Sequence, residues 1–402
     1  MSLDIERVRA LYPALSDGYA WLDAAAGTQV PQPVIDAIAA AYSAGIGNTH
    51  GAFPGSARSD AIVTRAREAV ADLVGGDPAG VVLGPNMTTL TYRFAYALAK
   101  DWGPGDEIVV SRLDHDANVR PWVQAAERAG ARVRWAEVEV PDGELPAGQY
   151  DELVTERTRL VAVTAASNIL GTMPDVPRIT ARARAVGALS YVDGVHATPH
   201  GPIDMAALGA DFYATSAYKW SGPHIGAVVA RPALLETLRP DKLASSPSEV
   251  PDRFETGTAP FADLAGVAAA VDHLADLDPA ATGTRRERLL ASMTAVEAYE
   301  QAELAYLLKG LSSLPHVNLV GSPRRRTATA YFTVTGHTPR EVAEHLAANR
   351  VNVWDGHCYA WELTRALGIR DEGSAVRAGL VHYNSRSDVD RLLNALEDLP
   401  RR

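Results

Sequence analysis

The chain has 402 residues with 38 Lys and Arg against 49 Asp and Glu, a net charge of −11, so it carries no basic field for nucleic acid or an anionic membrane surface. Hydrophobic residues make up 47%, enough for a large core and more than one domain. The opening Met1-Ser2-Leu3-Asp4-Ile5-Glu6-Arg7 lacks the basic and apolar regions of a signal peptide, no apolar run approaches the ~20 residues of a membrane span, and the single cysteine, Cys358, excludes an intrachain disulfide or a multi-cysteine metal site; a cytoplasmic, metal-free protein is expected.

In chain order, one of the helices that precede the strands is predicted with Ser59 as N-cap, with Ile62, Ala66, Ala69, Val70 and Leu73 on one face and Gly75-Gly76 as its stop. Short β-branched runs follow at Val81-Val82-Leu83, Glu107-Ile108-Val109-Val110, Leu160-Val161-Ala162-Val163, Leu189-Ser190-Tyr191-Val192, Phe212-Tyr213-Ala214 and Ala227-Val228-Val229-Ala230. Several are separated by enough chain for a crossover helix, which predicts a mostly parallel sheet covered on both faces. Pro141 to Gly148 reads as a surface loop.

After about residue 265 the pattern changes. Arg285-Arg286-Glu287-Arg288 leads into a long helix over 289–311, Arg324-Arg325-Arg326 reads as a solvated loop, and Thr327-Ala328-Thr329-Ala330-Tyr331-Phe332 as a strand. Val351-Asn352-Val353-Trp354 and 376–381 are strand-like, and a final helix is expected from Ser387 with Asp390 three residues on. These residues predict a smaller C-terminal α+β domain.

The chemistry concentrates on Lys219, in Thr215-Ser216-Ala217-Tyr218-Lys219-Trp220-Ser221-Gly222-Pro223-His224, and on Asp193-Gly194 upstream. Pyridoxal 5′-phosphate needs a lysine amine to carry it as a Schiff base and a carboxylate to keep its pyridine nitrogen protonated. Lys219 and Asp193 suit those two tasks. Its phosphate needs donors at a strand-to-helix turn, and Asn86-Met87-Thr88 follows the 81–83 run; Ser216 and Tyr218 add hydroxyls.

With these residues in order, the chain resembles the class V aminotransferases, and among them the cysteine desulfurase-like branch. The resemblance rests on Leu22-Asp23-Ala24-Ala25-Ala26-Gly27, Asp114-His115-Asp116-Ala117-Asn118-Val119-Arg120-Pro121-Trp122, Ser167-Asn168-Ile169-Leu170-Gly171-Thr172 and Asp193-Gly194-Val195-His196-Ala197. It implies the type I pyridoxal phosphate fold: an N-terminal segment over residues 1–20 packing on the small domain, a large cofactor domain over 21–265 with a mostly parallel seven-stranded sheet, and a small domain over 266–402. It also implies that His115 stacks on the cofactor ring, that Asn168 bonds near the cofactor's phenolic oxygen or the substrate carboxylate, that His196 faces the cofactor, and that Arg377 grips the carboxylate of a small amino-acid substrate. The implied assembly is a homodimer with a shared active site, in which Gly257-Thr258, within Glu255-Thr256-Gly257-Thr258, reaches the partner's phosphate; His50 resembles a residue approaching the other subunit's site or is an exposed loop histidine.

Desulfurases carry a nucleophilic cysteine in a segment resembling Val-Arg-x-Gly-His-His-Cys-Ala. Here the segment reads Val353-Trp354-Asp355-Gly356-His357-Cys358-Tyr359-Ala360. Aligned on Gly356, Cys358 falls one residue early, Tyr359 takes the cysteine's place and Trp354 that of the arginine. Cys358 is then either the nucleophile or a packed residue. His196 stands where the desulfurases have Gln and resembles the epimerase and sulfoxide-lyase members. The expected activity is carbon–sulfur cleavage of a small amino acid, by desulfuration or elimination; transamination and epimerisation remain open, as does, more remotely, a non-catalytic interaction protein that has kept the fold. No sulfur acceptor can be read from the residues.

Overall fold

A computed structural model describes residues 3–400; Met1 and Ser2, where the reading against a signal peptide begins, lie outside them. Its centre is a seven-stranded sheet in the order Val81–Gly84, Gly226–Ala230, Phe212–Ser216, Leu189–Asp193, Thr158–Thr164, Glu107–Ser111 and Arg132–Ala136. Gly226–Ala230 runs antiparallel to both neighbours, and the pairings from Phe212–Ser216 to Arg132–Ala136 are parallel.

Alternate residues of these strands feed two separate cores. Leu83, Val109, Val161, Val163, Val192 and Val229 pack on one face, and Val82, Ile108, Val110, Leu160, Ala162 and Val228 on the other. A strand buried on both faces therefore reads as a continuous apolar run. The strand Arg132–Ala136, absent from the sequence reading, lies at the sheet edge, where Arg132 is exposed and Arg134 and Trp135 half-buried. An edge strand has no need of the apolar run.

Four predictions are corrected. The helix read from Ser59 is Pro54–Val74, with Ser59 buried inside it rather than capping it; Pro54 at its first position supplies a helical φ and has no N–H to leave unpaired. Its stop, Gly75 at φ +72, is where the sequence puts it. Arg326 is buried, not solvated: its guanidinium donates to the carbonyl of Thr329 at 2.6 Å, and burial lowers its pKa to about 10. The strand predicted from Thr327 covers Thr329–Val334. The last helix is Arg386–Glu397, capped reciprocally by Ser385 and Asp388 rather than by Ser387 and Asp390.

Toward the C-terminus, Trp354–Gly356, Ala375–Gly379, Thr329–Val334 and Val317–Leu319 form an antiparallel sheet in that order. The 29-residue helix Arg285–Ser313 begins with a capping box between Thr284 and Glu287 and contributes Leu304, Leu307 and Leu311 to this core. Ala20–Trp21 pairs in parallel with Val351–Asn352, and Arg9 makes a 2.6 Å ion pair with Asp388.

Candidate active site

The carboxyl ends of the central strands open on one side, where open α/β sheets bind ligands. Asp193 ends one strand, Ser216 ends the next and leads directly to Lys219, and Asn168 lies on the loop leaving Thr158–Thr164. Asn86 caps the helix Met87–Ala99 by accepting from the N–H of Thr89 at 2.9 Å, and the N–H of Met87 donates to Ser216 Oγ at 3.0 Å.

Met87, Thr88, His115, Asn168, Asp193, His196, Tyr218 and Lys219 line one lobe of a cleft. A second lobe of about 370 Å³ shares His115, Asn168, Tyr218 and Lys219 with it and adds Cys358 and Arg377. The tertiary structure thus joins residues more than 280 positions apart in the chain, from Met87 to Arg377. Gly257 and Thr258 are exposed and line neither lobe, and the His50 side chain is 79% exposed, 3.6 Å from Asp60.

The electrostatics are those of a water-poor site. Lys219 is buried, donates to the carbonyl of Ala25 at 2.9 Å, and has its pKa lowered to about 8 by burial and by Arg377, against the pull of Asp193. Burial raises Asp193, which accepts from the N–H of Val195 at 2.9 Å. His115 falls to about 3 through burial, Lys219 and Arg377. Its Nδ1 accepts from the N–H of Ala117 at 3.0 Å, which places the proton of the neutral ring on Nε2. His196 is likewise driven well below its ordinary value by burial; Nε2 meets the hydroxyls of Thr329 and Thr327 at 3.0 and 3.1 Å.

Cys358 and Tyr359 form a turn with φ of +46° and +60°. The carbonyl of Cys358 accepts from Asn168 Nδ2 at 2.7 Å, and Arg377 Nη1 donates to the carbonyl of Asn168 at 2.9 Å. Burial raises the thiol's pKa, partly offset by Arg377 and Lys219. The sequence gives Tyr359 only as the residue in the cysteine's place; its ring lies 5.4 Å from that of His115, and Asp114, quoted only within the motif, is buried. The only local signal for Asp114 was its place beside His115.

A lysine, a carboxylate and an arginine gathered at the strand ends of this sheet define a class, and the family model for Aminotransferase class-V matches residues 20–392: the chain belongs to that family. It is 40% identical over 401 residues to the protein MT3887 of Mycobacterium tuberculosis, covering 99% of this chain and 100% of that one. A probable cysteine desulfurase of Pseudomonas putida is 34% identical over 407 residues, covering 97% and 96%. Among solved structures, the cysteine desulfurase CsdA of Escherichia coli superposes with a TM-score of 0.85 at 29% identity, over 99% of this chain and 98% of that one. The apo cysteine desulfurase of Thermococcus onnurineus NA1 gives 0.88 at 26%, with the same coverage. The fold is the type I fold of these enzymes. Among the described residues, no helix is long and apolar enough to cross a membrane, and no group of three or more His, Cys, Asp or Glu is placed to hold a metal ion.

Proposed function

We propose that this chain is a pyridoxal phosphate enzyme that cleaves the carbon–sulfur bond of a small amino acid, with L-cysteine as the first substrate to test. The observation that carries the reading is the buried Lys219 amine, held within one cleft with Asp193, Arg377 and the thiol of Cys358. The residues fit the cofactor. A Cβ on Gly226 would come within 2.2 Å of the Asn86 backbone and 2.4 Å of the Met87 nitrogen, so a glycine lets the helix end sit directly on the sheet as an anion cradle. Among the described residues, His196 Nδ1, Asn168 Oδ1 and Arg377 Nε are buried around the cleft without partners, as expected where a polar occupant completes them.

Bound there, pyridoxal phosphate supplies an electron-withdrawing ring that makes the Cα proton of an attached amino acid acidic. The chain's residues do the rest. The N-terminus of Met87–Ala99 and Ser216 would hold the phosphate, Asp193 would supply the carboxylate that keeps the pyridine nitrogen protonated, and the neutral His115 would supply an apolar ring face and an Nε2 proton beside the cofactor. Arg377 orients the substrate carboxylate. Lys219, whose lowered pKa gives it a neutral fraction near pH 8, takes and returns the proton at Cα.

Two outcomes follow at Cβ. In desulfuration the thiolate of Cys358 takes the substrate sulfur as a persulfide while Cβ gains a proton, leaving alanine. In elimination the C–S bond breaks without Cys358, and cysteine and one water give sulfide, pyruvate and ammonia. The raised thiol pKa and the displaced position of Cys358 support keeping elimination as the second reading. Cofactor-loaded protein is incubated with L-cysteine and the products are quantified. Alanine that disappears in Cys358→Ser establishes desulfuration, pyruvate that persists in that variant establishes elimination, and neither product refutes C–S cleavage of cysteine. Absence of a lysine-linked absorption band would refute the cofactor assignment, and a band that survives Lys219→Ala would refute Lys219 as its carrier. The exposed Thr256–Gly257–Thr258 stretch, outside its own cleft, supports a homodimer in which that stretch serves the partner's site; sedimentation of the loaded protein tests it.

A further inference from the structure

The wall of the cleft that carries Cys358 is held in an uncommon backbone shape. Two successive non-glycine residues, Cys358 and Tyr359, occupy the left-handed region, which persists only where the surroundings over-determine it. Two hydrogen bonds reach this turn from across the cleft. The N–H of Asp116 donates to the carbonyl of Tyr359 at 2.9 Å, and Asn168 Nδ2 to that of Cys358 at 2.7 Å.

Immediately behind the turn, Glu362 gathers three guanidinium groups on a side chain only 9% exposed. Oε2 accepts from Arg112 Nη1 at 2.8 Å and from Arg365 Nη2 at 2.7 Å, and Oε1 from Arg120 Nη2 at 3.3 Å. Arg112 and Arg120 bracket the segment that carries Asp114 and His115. Each is fixed from its other side: Arg112 by Glu137 at 2.7 Å and by the Trp135 ring at 4.6 Å, and Arg120 by Asp116 at 3.0 Å. One buried carboxylate therefore spans the two walls of the cleft.

We infer that Glu362 is a positioning residue that clamps the Cys358–Tyr359 turn against the His115 wall through Arg112 and Arg120. A carboxylate and guanidiniums largely withdrawn from water are weakly screened, and breaking such a set leaves buried charge unpaired. Without the clamp, the strained turn keeps the Asp116 N–H and the Asn168 amide across the cleft and its own bond from the Tyr359 N–H to His357 Nδ1 at 3.0 Å, and Cys358 swings toward solvent. The inference rests on the proposed function only in naming what the turn serves.

Cys358 is the only cysteine of the chain, so alkylation of the cofactor-loaded protein by iodoacetamide reads the turn alone. Glu362→Gln and Glu362→Asp are expected to label about tenfold faster than the wild type; the aspartate keeps the charge but is too short to span both arginines. Arg386→Gln, which breaks the 2.7 Å pair with Glu303 away from the cleft, is expected to label at the wild-type rate. Unchanged rates in both Glu362 variants overturn the inference. So does acceleration in Glu362→Gln alone, which would be a field effect on the thiol, or equal acceleration in Arg386→Gln, which would be general loosening. Should the Glu362 variants not fold, Arg120→Gln, whose arginine is 32% exposed, is expected to accelerate labelling severalfold, and wild-type labelling there overturns the clamp. Absence of C–S cleavage in the wild type refutes the proposed function and leaves this test standing.

Discussion

Arg377 Nη1 donates to the carbonyl of Asn168 at 2.9 Å, across 209 residues of sequence. The bond ties an inner strand of the C-terminal sheet to the loop leaving Thr158–Thr164, and Arg377 Nε stays buried and unpaired beside the cleft. Arg377→Lys keeps the charge and loses the planar fork. Losing one charge-assisted hydrogen bond costs about 1.5–3 kcal/mol, so KM for the amino acid is expected to rise about 10- to 100-fold with the cofactor absorption band retained. Steady-state kinetics check this; an unchanged KM removes Arg377 from carboxylate recognition.

The close approach of the helix Met87–Ala99 to the sheet depends on Gly226. An added Cβ meets the Asn86 and Met87 backbone, which has no rotamer to move aside. Gly226→Ala is expected to lower stability by about 1–3 kcal/mol and to weaken cofactor retention on dilution. Denaturant melts with and without cofactor separate the two effects, and wild-type behaviour in both contradicts the close approach.

On the proposed function, loading of the apoprotein would draw on the neutral amine of Lys219. With its pKa lowered to about 8 by burial and Arg377, the rate of cofactor uptake should rise with pH, with a midpoint near 8, and level off above it. Stopped-flow absorbance measures it; a midpoint near the ordinary lysine value would show that the amine is not desolvated.

Asp114 accepts from the hydroxyl of Ser111 and from Asn118 Nδ2 at 2.6 Å, and burial raises its pKa to about 8. Between the ordinary carboxylate range and about 8, the folded protein keeps this proton after the unfolded chain has lost it, so stability falls as pH rises through that window. Asp114→Asn removes the dependence. Its denaturation midpoint, relative to the wild type, is expected to climb with pH across the window and then level; a constant difference would show Asp114 ionised in the folded state.

Much of the fold was legible because its signals are local. Val161 and Val163 point to one core and Leu160 and Ala162 to the other, so a strand covered on both sides declares itself as an apolar run. The placing of Asp193 and Lys219 was legible for a related reason, since Asp193 ends one strand and Lys219 ends the short turn that follows the next. Helix starts were less so: at Pro54 and Ser385 more than one nearby residue can cap, and packing selects one.

By itself the sequence determined the parallel-sheet rhythm, the lysine–carboxylate pair and the family resemblance, all set by residues close in the chain or by their chemical identity. The tertiary structure alone decided that Arg326 is buried, that Cys358 sits in a left-handed turn on the cleft wall, and that Arg112 meets Glu362 from 250 residues away. Which face a side chain turns to, and which charge it meets, are settled by elements that come together only when the chain is packed.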